Sequence, residues 1–222
     1  MTSKAHRISQ LERAYETLRD AIISCEIAPE AKIRIAEMCD IYGFSAGSVR
    51  EALSRLTADG LVVAEPQKGF RAAPISAKDL RELTASRTYI EALCVRMAIE
   101  FAGVEWEGQV LAAHHALSRL PMLIDGEDKI SADWTRKHYD FHDALAKGCD
   151  NSWMLRMRRM LYEQSERYRQ ISVPLDLSER DVALEHRQIC DAAINRDAPQ
   201  TDLLIKRHIE RTAQIVLQNL TD

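Results

Sequence analysis

Between residues 45 and 61 the chain reads Ser-Ala-Gly-Ser-Val-Arg-Glu-Ala-Leu-Ser-Arg-Leu-Thr-Ala-Asp-Gly-Leu. Val49, Ala52, Leu53 and Leu56 recur at one-turn spacing, which puts a single apolar stripe on one face of a helix. Ser45 is placed to accept from the first free amides of that helix, and Gly60 to close it in the left-handed conformation. The opposite face carries Gly47, Glu51, Ser54 and Ala58, flanked by Arg50 and Arg55. Upstream, Leu11, Tyr15, Leu18, Ile22 and Ile23 predict a helix over 9–24. Ile35, Met38 and Cys39 predict a shorter one over 34–42 that turns at Gly43-Phe44. After Gly60 the period changes: Leu-Val-Val-Ala-Glu, the turn Pro66-Gln67-Lys68-Gly69 and Phe-Arg-Ala-Ala predict two short strands. Helix, turn, capped helix and hairpin together predict a winged helix-turn-helix over residues 1–75.

Pro74-Ile75-Ser76-Ala77 reads as a polar joint, with a linker at 76–78. From Asp79 the periodicity is helical almost to the end, with helices predicted over 79–102, 106–120, 128–148, 152–170, 178–196 and 199–219. Breaks fall at Gly103, Pro121 to Gly126, Gly148 to Asn151, Pro174 and Pro199. The fold class expected is mainly α: an N-terminal winged helix-turn-helix followed by an all-α six-helix bundle over 79–222.

The totals agree with that reading. A chain of 222 residues with 46% hydrophobic and 6% aromatic residues is long enough for two modest cores and leans to helix. The five cysteines form no CxxC pair, no apolar leader precedes the first charges, and no apolar run nears the roughly 20 residues that span a bilayer. A soluble cytoplasmic protein with reduced thiols is expected. The net charge is −4, and residues 1–75 balance ten Lys/Arg against ten Asp/Glu, which excludes indiscriminate polyanion binding. Affinity for nucleic acid must then come from placement. Arg34, Arg50, Arg55, Lys68 and Arg71 are the candidate phosphate or base contacts. Ser45, Gly47 and Ser54 keep bulk off a helix lying in the major groove, and Gly69 lets the Lys68 loop approach the minor groove or backbone.

The run Val49-Arg50-Glu51-Ala52-Leu53, then Leu56, Gly60-Leu61-Val62 and Gly69, resembles the GntR family of bacterial transcription regulators over residues 10–75. The resemblance implies binding to double-stranded DNA. A homodimer would present two recognition helices to a pseudo-palindromic operator. Two positions depart from it: Ala36 and Ala46 stand where many members carry DNA-contacting arginines.

Seven histidines remain to be placed. His138 and His142 lie four residues apart, on one face of the third C-terminal helix, while His186 and His208 fall on the fifth and sixth. Spacing alone leaves open whether they are satisfied polar residues or metal ligands. Residues 79–220 resemble the FCD ligand-binding domain of the FadR subfamily through Arg87, Glu91, Phe141-His142, Glu185-His186 and His208. Many FCD domains hold a metal with one Asp and three His, and His142, His186 and His208 match the three. The Asp position is His138 here. An all-histidine set favours zinc or nickel over magnesium or calcium and leaves the cation's charge available to an anion. The rival reading is a site that has lost a ligand. By the same resemblance Arg87 holds a carboxylate effector, against the alternative of an ion pair with Glu91. Trp134, Tyr89 and Tyr168 are aromatic candidates for a cavity lining or for ordinary core.

Glu105-Trp106-Glu107, His138 to His142, Gly148-Cys149 and Glu166-Arg167-Tyr168-Arg169 are similar to the CsiR-type group of FCD regulators. That similarity implies control of small-dicarboxylate or related amino-acid catabolism by a small carboxylic acid. The expectation is a repressor whose DNA binding responds to that acid. Two alternatives stay beside it: a metal-dependent hydrolase, disfavoured because only Tyr139, Asp140 and Phe141 separate the paired histidines and no HExxH occurs, and a DNA-binding protein with a purely structural metal.

Overall fold

The structure is a computed structural model that describes residues 9–127, 129–172, 180–218 and 220. Two compact units divide the chain, Met1–Ile75 and Ser76–Asp222.

The first unit runs α1 (Gln10–Ile23), β1 (Lys32–Ile33), α2 (Ile35–Tyr42), α3 (Ala46–Ala58), β2 (Val62–Glu65) and β3 (Gly69–Ala72). Its centre is the stripe read from the sequence: Val49, Ala52, Leu53 and Leu56 of α3 are fully buried against Ala14, Leu18 and Ile22 of α1. Both ends of α3 are fixed locally. Ser45 Oγ accepts from the Ser48 amide at 3.2 Å. At the far end Gly60 takes φ +74°, which lets Leu61 N–H donate to Leu56 O at 2.9 Å and close the helix. Gly43, at φ +71°, ends α2 in the same way and sets up the turn into α3. The sheet is antiparallel in the order β1-β3-β2, with Lys32 and Val63 both opposite Arg71. The sequence pattern predicted the β2–β3 hairpin but not β1, whose two residues are too few to show a period.

The second unit is α4 (Ala77–Phe101), α5 (Val104–Ser118), α6 (Ala132–Lys147), α7 (Ser152–Ser172), α8 (Val182–Ile194) and α9 (Ala198–Leu217). Helix begins within the linker expected at 76–78: Ser76 Oγ caps α4 by accepting from Asp79 N–H at 3.0 Å, so α4 starts at Ala77. Tyr168 holds the same corner, donating to Asp79 Oδ2 at 2.6 Å. The third C-terminal helix starts at Ala132 rather than 128, because Leu123 bridges to Ile130 across the preceding loop and Ser131 is the cap. The fifth starts at Val182, capped by Asp181; its predicted start at 178 and the Pro174 break lie outside the described residues.

The second core joins Cys94, Val95 and Ala98 of α4 to Val110, Phe141, Leu145, Ile189, Ile205 and Ile209. Gly148 is required where the chain leaves α6, since a Cβ there would stand 2.9 Å from both Ala102 Cβ and Trp106 Cδ1. Packing of α4 on α6, α7 and α9, and of α8 on α9, turns the polar inner faces of these helices toward one another. Among the described residues no helix is long and apolar enough to cross a membrane.

Candidate functional site

His138 and His142 enter the second unit from successive turns of α6, His186 from α8 and His208 from α9. One nitrogen of each lies within 4.8 Å of the others. All four rings are buried. The edge of a tetrahedral zinc site is about 3.4 Å for Zn–N bonds of about 2.1 Å, so small ring rotations bring this set onto one ion.

Hydrogen bonds fix which nitrogens face inward. His138 Nδ1 is 2.8 Å from the Tyr162 hydroxyl, and His208 Nδ1 is 2.8 Å from Glu185 Oε2; each leaves Nε2 free. Glu185 is itself gripped by Arg180 in a fork at 3.0 and 2.7 Å and by Arg211 at 3.2 Å. His142 Nδ1 lies 3.8 Å from Glu91 Oε1, which accepts from Arg158 Nε at 3.0 Å. Both nitrogens of His142 and Nε2 of His186 are buried without a hydrogen-bond partner. An unsatisfied buried polar group costs about 1–3 kcal/mol, and a coordinated cation removes that cost, so the residues present fit a metal.

Protonation points the same way. Burial pushes His138, His142 and His186 well below the usual imidazole range, and the positive charge of neighbouring rings and arginines adds to it. Burial also lowers His208, although the hydrogen bond it donates to Glu185 opposes it. Burial works to raise the Glu185 carboxyl, but hydrogen bonds from His208 and Arg180 outweigh it and hold it well below the carboxylate range. Neutral imidazole is the form that binds a metal, and a carboxylate behind a ring fixes its tautomer.

Beside the cluster is a cavity of about 30 Å³ whose lining includes Arg87, Trp134, His138, Arg169, Arg180 and His208. The alternative partner for Arg87 is not formed: Glu91 pairs with Arg158 of α7, and the Arg87 guanidinium stands 4.7 Å over the Tyr162 ring. Among the described residues Arg87 makes no ion pair, whereas Arg169 pairs with Glu166 and Arg180 with Glu185. Trp134 lines the cavity and stacks on His138 at 4.6 Å. Tyr89 is 66% exposed and Tyr168 is spent at the start of α4, so neither belongs here. Sequence reasoning missed Tyr162, Arg169 and Arg180. Nothing local marks an arginine or tyrosine as the partner of a distant histidine; only the adjacency Glu185-His186 offered a hint.

On the first unit, α3 presents Ser45, Gly47, Arg50, Glu51, Ser54 and Arg55 to solvent. Among the described residues Arg50 has no ion-pair partner. Arg55 is shared between Glu51 at 3.2 Å and Glu12 at 3.7 Å, and Arg34 is held by Glu37 at 2.5 Å. Lys68 is exposed at the tip of the β2–β3 turn, next to Gly69 at φ +96°. Arg71 is turned back onto Glu65 and the Glu30 carbonyl.

Residues 10–71 match the family described as bacterial regulatory proteins, gntR family, and residues 82–211 match the FCD domain. The chain is 34% identical over 211 residues to the HTH-type transcriptional regulator BphR of Paraburkholderia xenovorans, covering 95% of this chain and 86% of that protein. The chain belongs to the GntR family. Another relative is the HTH-type transcriptional repressor GlaR of Escherichia coli, 33% identical over 92% of this chain and 94% of that one. The fold is shared with a solved GntR transcriptional regulator from Rhodococcus sp. RHA1, at a TM-score of 0.75, 21% identity and coverage of 96% and 99%. This GntR chain is therefore a DNA-binding transcriptional regulator with an FCD domain, and not an enzyme. The hydrolase alternative is set aside.

Proposed function

We propose that the protein is a cytoplasmic, homodimeric repressor whose DNA arm, residues 1–75, is controlled by a small carboxylic acid held beside a divalent metal in residues 79–222. The observation that carries this reading is the cluster of four buried imidazoles with orphaned nitrogens, set against a cavity that Arg87 enters without an ion-pair partner among the described residues. His138, His142, His186 and His208 are the ligands we assign, and an all-nitrogen set favours zinc or nickel. A cation held by these four rings would supply positive charge to the carboxylate of the acid. Arg87 offers a two-pronged donor to the carboxylate, Tyr162 and Glu185 hold the His138 and His208 rings in register, and Trp134 walls off solvent.

For the DNA arm, α3 enters the major groove with Arg50 as its principal contact, and Ser45, Gly47 and Ser54 permit the close approach. Arg55 and Arg34 reach phosphate only by giving up Glu51 and Glu37, so their contribution is smaller. Lys68 and Gly69 follow the adjacent backbone. A two-fold dimer sets the half-sites about 34–36 Å apart on a pseudo-palindromic operator. The repressor name of the GlaR relative supports the direction of control. Substituting Arg50→Ala is expected to weaken operator binding by about 10- to 100-fold, the loss of one base or phosphate fork, while metal content stays unchanged; gel-shift titration alongside elemental analysis checks both.

The functional reading is tested by titrating small carboxylic acids into the metal-loaded protein on its operator. Coupling between sites is typically about 1–3 kcal/mol, so an effective acid should weaken operator binding by about 5- to 150-fold. If every acid that binds the protein leaves operator affinity untouched, the sensor reading is wrong.

A further inference from the structure

We infer that the histidine site continues into a second, apolar compartment that takes the hydrocarbon part of an amphipathic monocarboxylic acid. The head group rests on the carboxylate reading given above; the tail rests on a separate cavity. That cavity measures about 120 Å³ and is walled by Leu117, Leu120, Met122, Trp134 and Val182, with His186 reaching it from the cluster. Met122, Trp134 and Val182 also line the first cavity, so the two share a wall.

Charge is segregated across that wall. Arg87, Arg169 and Arg180 line the first compartment, and among the described residues no arginine, lysine or carboxylate lines the second. A second carboxylate on the effector would find no cation there. The Ser118 hydroxyl at the rim already donates to the His115 carbonyl at 2.9 Å, and the His114 ring packs 5.5 Å from Phe141. A cavity of about 150 Å³ accepts benzene, so a body of about four to six carbons fits. The ligand class is a short aliphatic or single-ring acid rather than a dicarboxylate.

The experiment uses the metal-loaded full chain and calorimetric titration of acetate, butyrate, hexanoate, benzoate and succinate, with xenon NMR as a probe that carries no carboxylate. Affinity is expected to rise about four-fold per added methylene up to hexanoate, with benzoate above succinate. Xenon should occupy one site. Ala183→Phe, at an exposed α8 position on the cavity lining, is expected to flatten the acid series and exclude xenon, while acetate affinity and metal content hold; Ser118→Phe, on α5, serves if that variant does not fold. A flat or falling series in protein that binds acetate overturns the inference, as does failure of xenon to bind. If no acid binds but xenon does, the cavity stands and the carboxylate reading of the site falls instead.

Discussion

Replacing His186 or His208 with alanine is expected to lower metal affinity by more than about 100-fold and abolish the acid response, while operator binding remains measurable. Loss of a residue that merely orients a ligand typically costs 10- to 100-fold, and removal of the ligand itself exceeds that. Each of these rings is the sole contribution of its helix to the cluster, α8 for His186 and α9 for His208, so no neighbour on the same helix can take its place. The His208 variant also takes away the ring to which Glu185 is hydrogen-bonded. Elemental analysis of protein purified without chelator, then calorimetric metal titration, gives the answer; full metal content in both variants would remove the metal from the account. The same assay decides the role of His138. If it is a ligand, His138→Ala should lose metal comparably, and His138→Asp should keep it while shifting preference from zinc or nickel toward manganese, because a carboxylate is the harder donor. A His138→Ala variant with unaltered affinity would mean that only three rings bind.

How much of this could be read from the chain depends on how local the information is. The stripe, cap and closing glycine of α3 lie within seventeen consecutive residues, and the helix follows from them directly. Start points set by tertiary contacts could not be read in this way. Pairing of Leu123 with Ile130 delays α6 to Ala132, and Ser76, held by a tyrosine on α7, caps α4 so that it starts two residues before the start that periodicity gave. The histidines divide along the same line. His138 and His142 share a face by spacing, whereas convergence with His186 and His208 needs three helices packed in a particular order, which resemblance to a family supplied and periodicity did not. The partner of Glu91 shows the limit most clearly. Helical spacing nominates Arg87, four residues before it, but the buried Arg158 on another helix takes the carboxylate and leaves Arg87 for the cavity.

The four imidazoles also make the metal-free protein sensitive to acid. Each is buried and held below its ordinary range, so its folded pKa lies under the unfolded value of about 6.5. Below about pH 6.5 the unfolded chain takes up protons that the folded chain refuses, and stability therefore falls as pH falls until the folded rings themselves titrate. One such ring removes up to about 1.4 kcal/mol per pH unit, and all four act in the same direction. Glu185, held low by His208 and Arg180, contributes in the same direction but in a lower window: its stabilisation is present above the ordinary carboxylate pKa and is lost as pH drops toward its depressed value. The chain reports on this conveniently, because Trp106, Trp134 and Trp153 all lie in the unit Ser76–Asp222 and their fluorescence follows that unit's unfolding alone. Chelator-treated protein should show a melting temperature that drops steeply from pH 6.5 to 5, and His142→Phe should reduce the slope by about 1.4 kcal/mol per pH unit, one ring's share. Metal loading should hold the transition high to a lower pH, since bound imidazole must release the cation before it can accept a proton. A melting temperature that stays level across this range in the metal-free protein would mean that the rings take up protons in the folded chain as readily as in the unfolded one, and the claim that burial holds them low would fall.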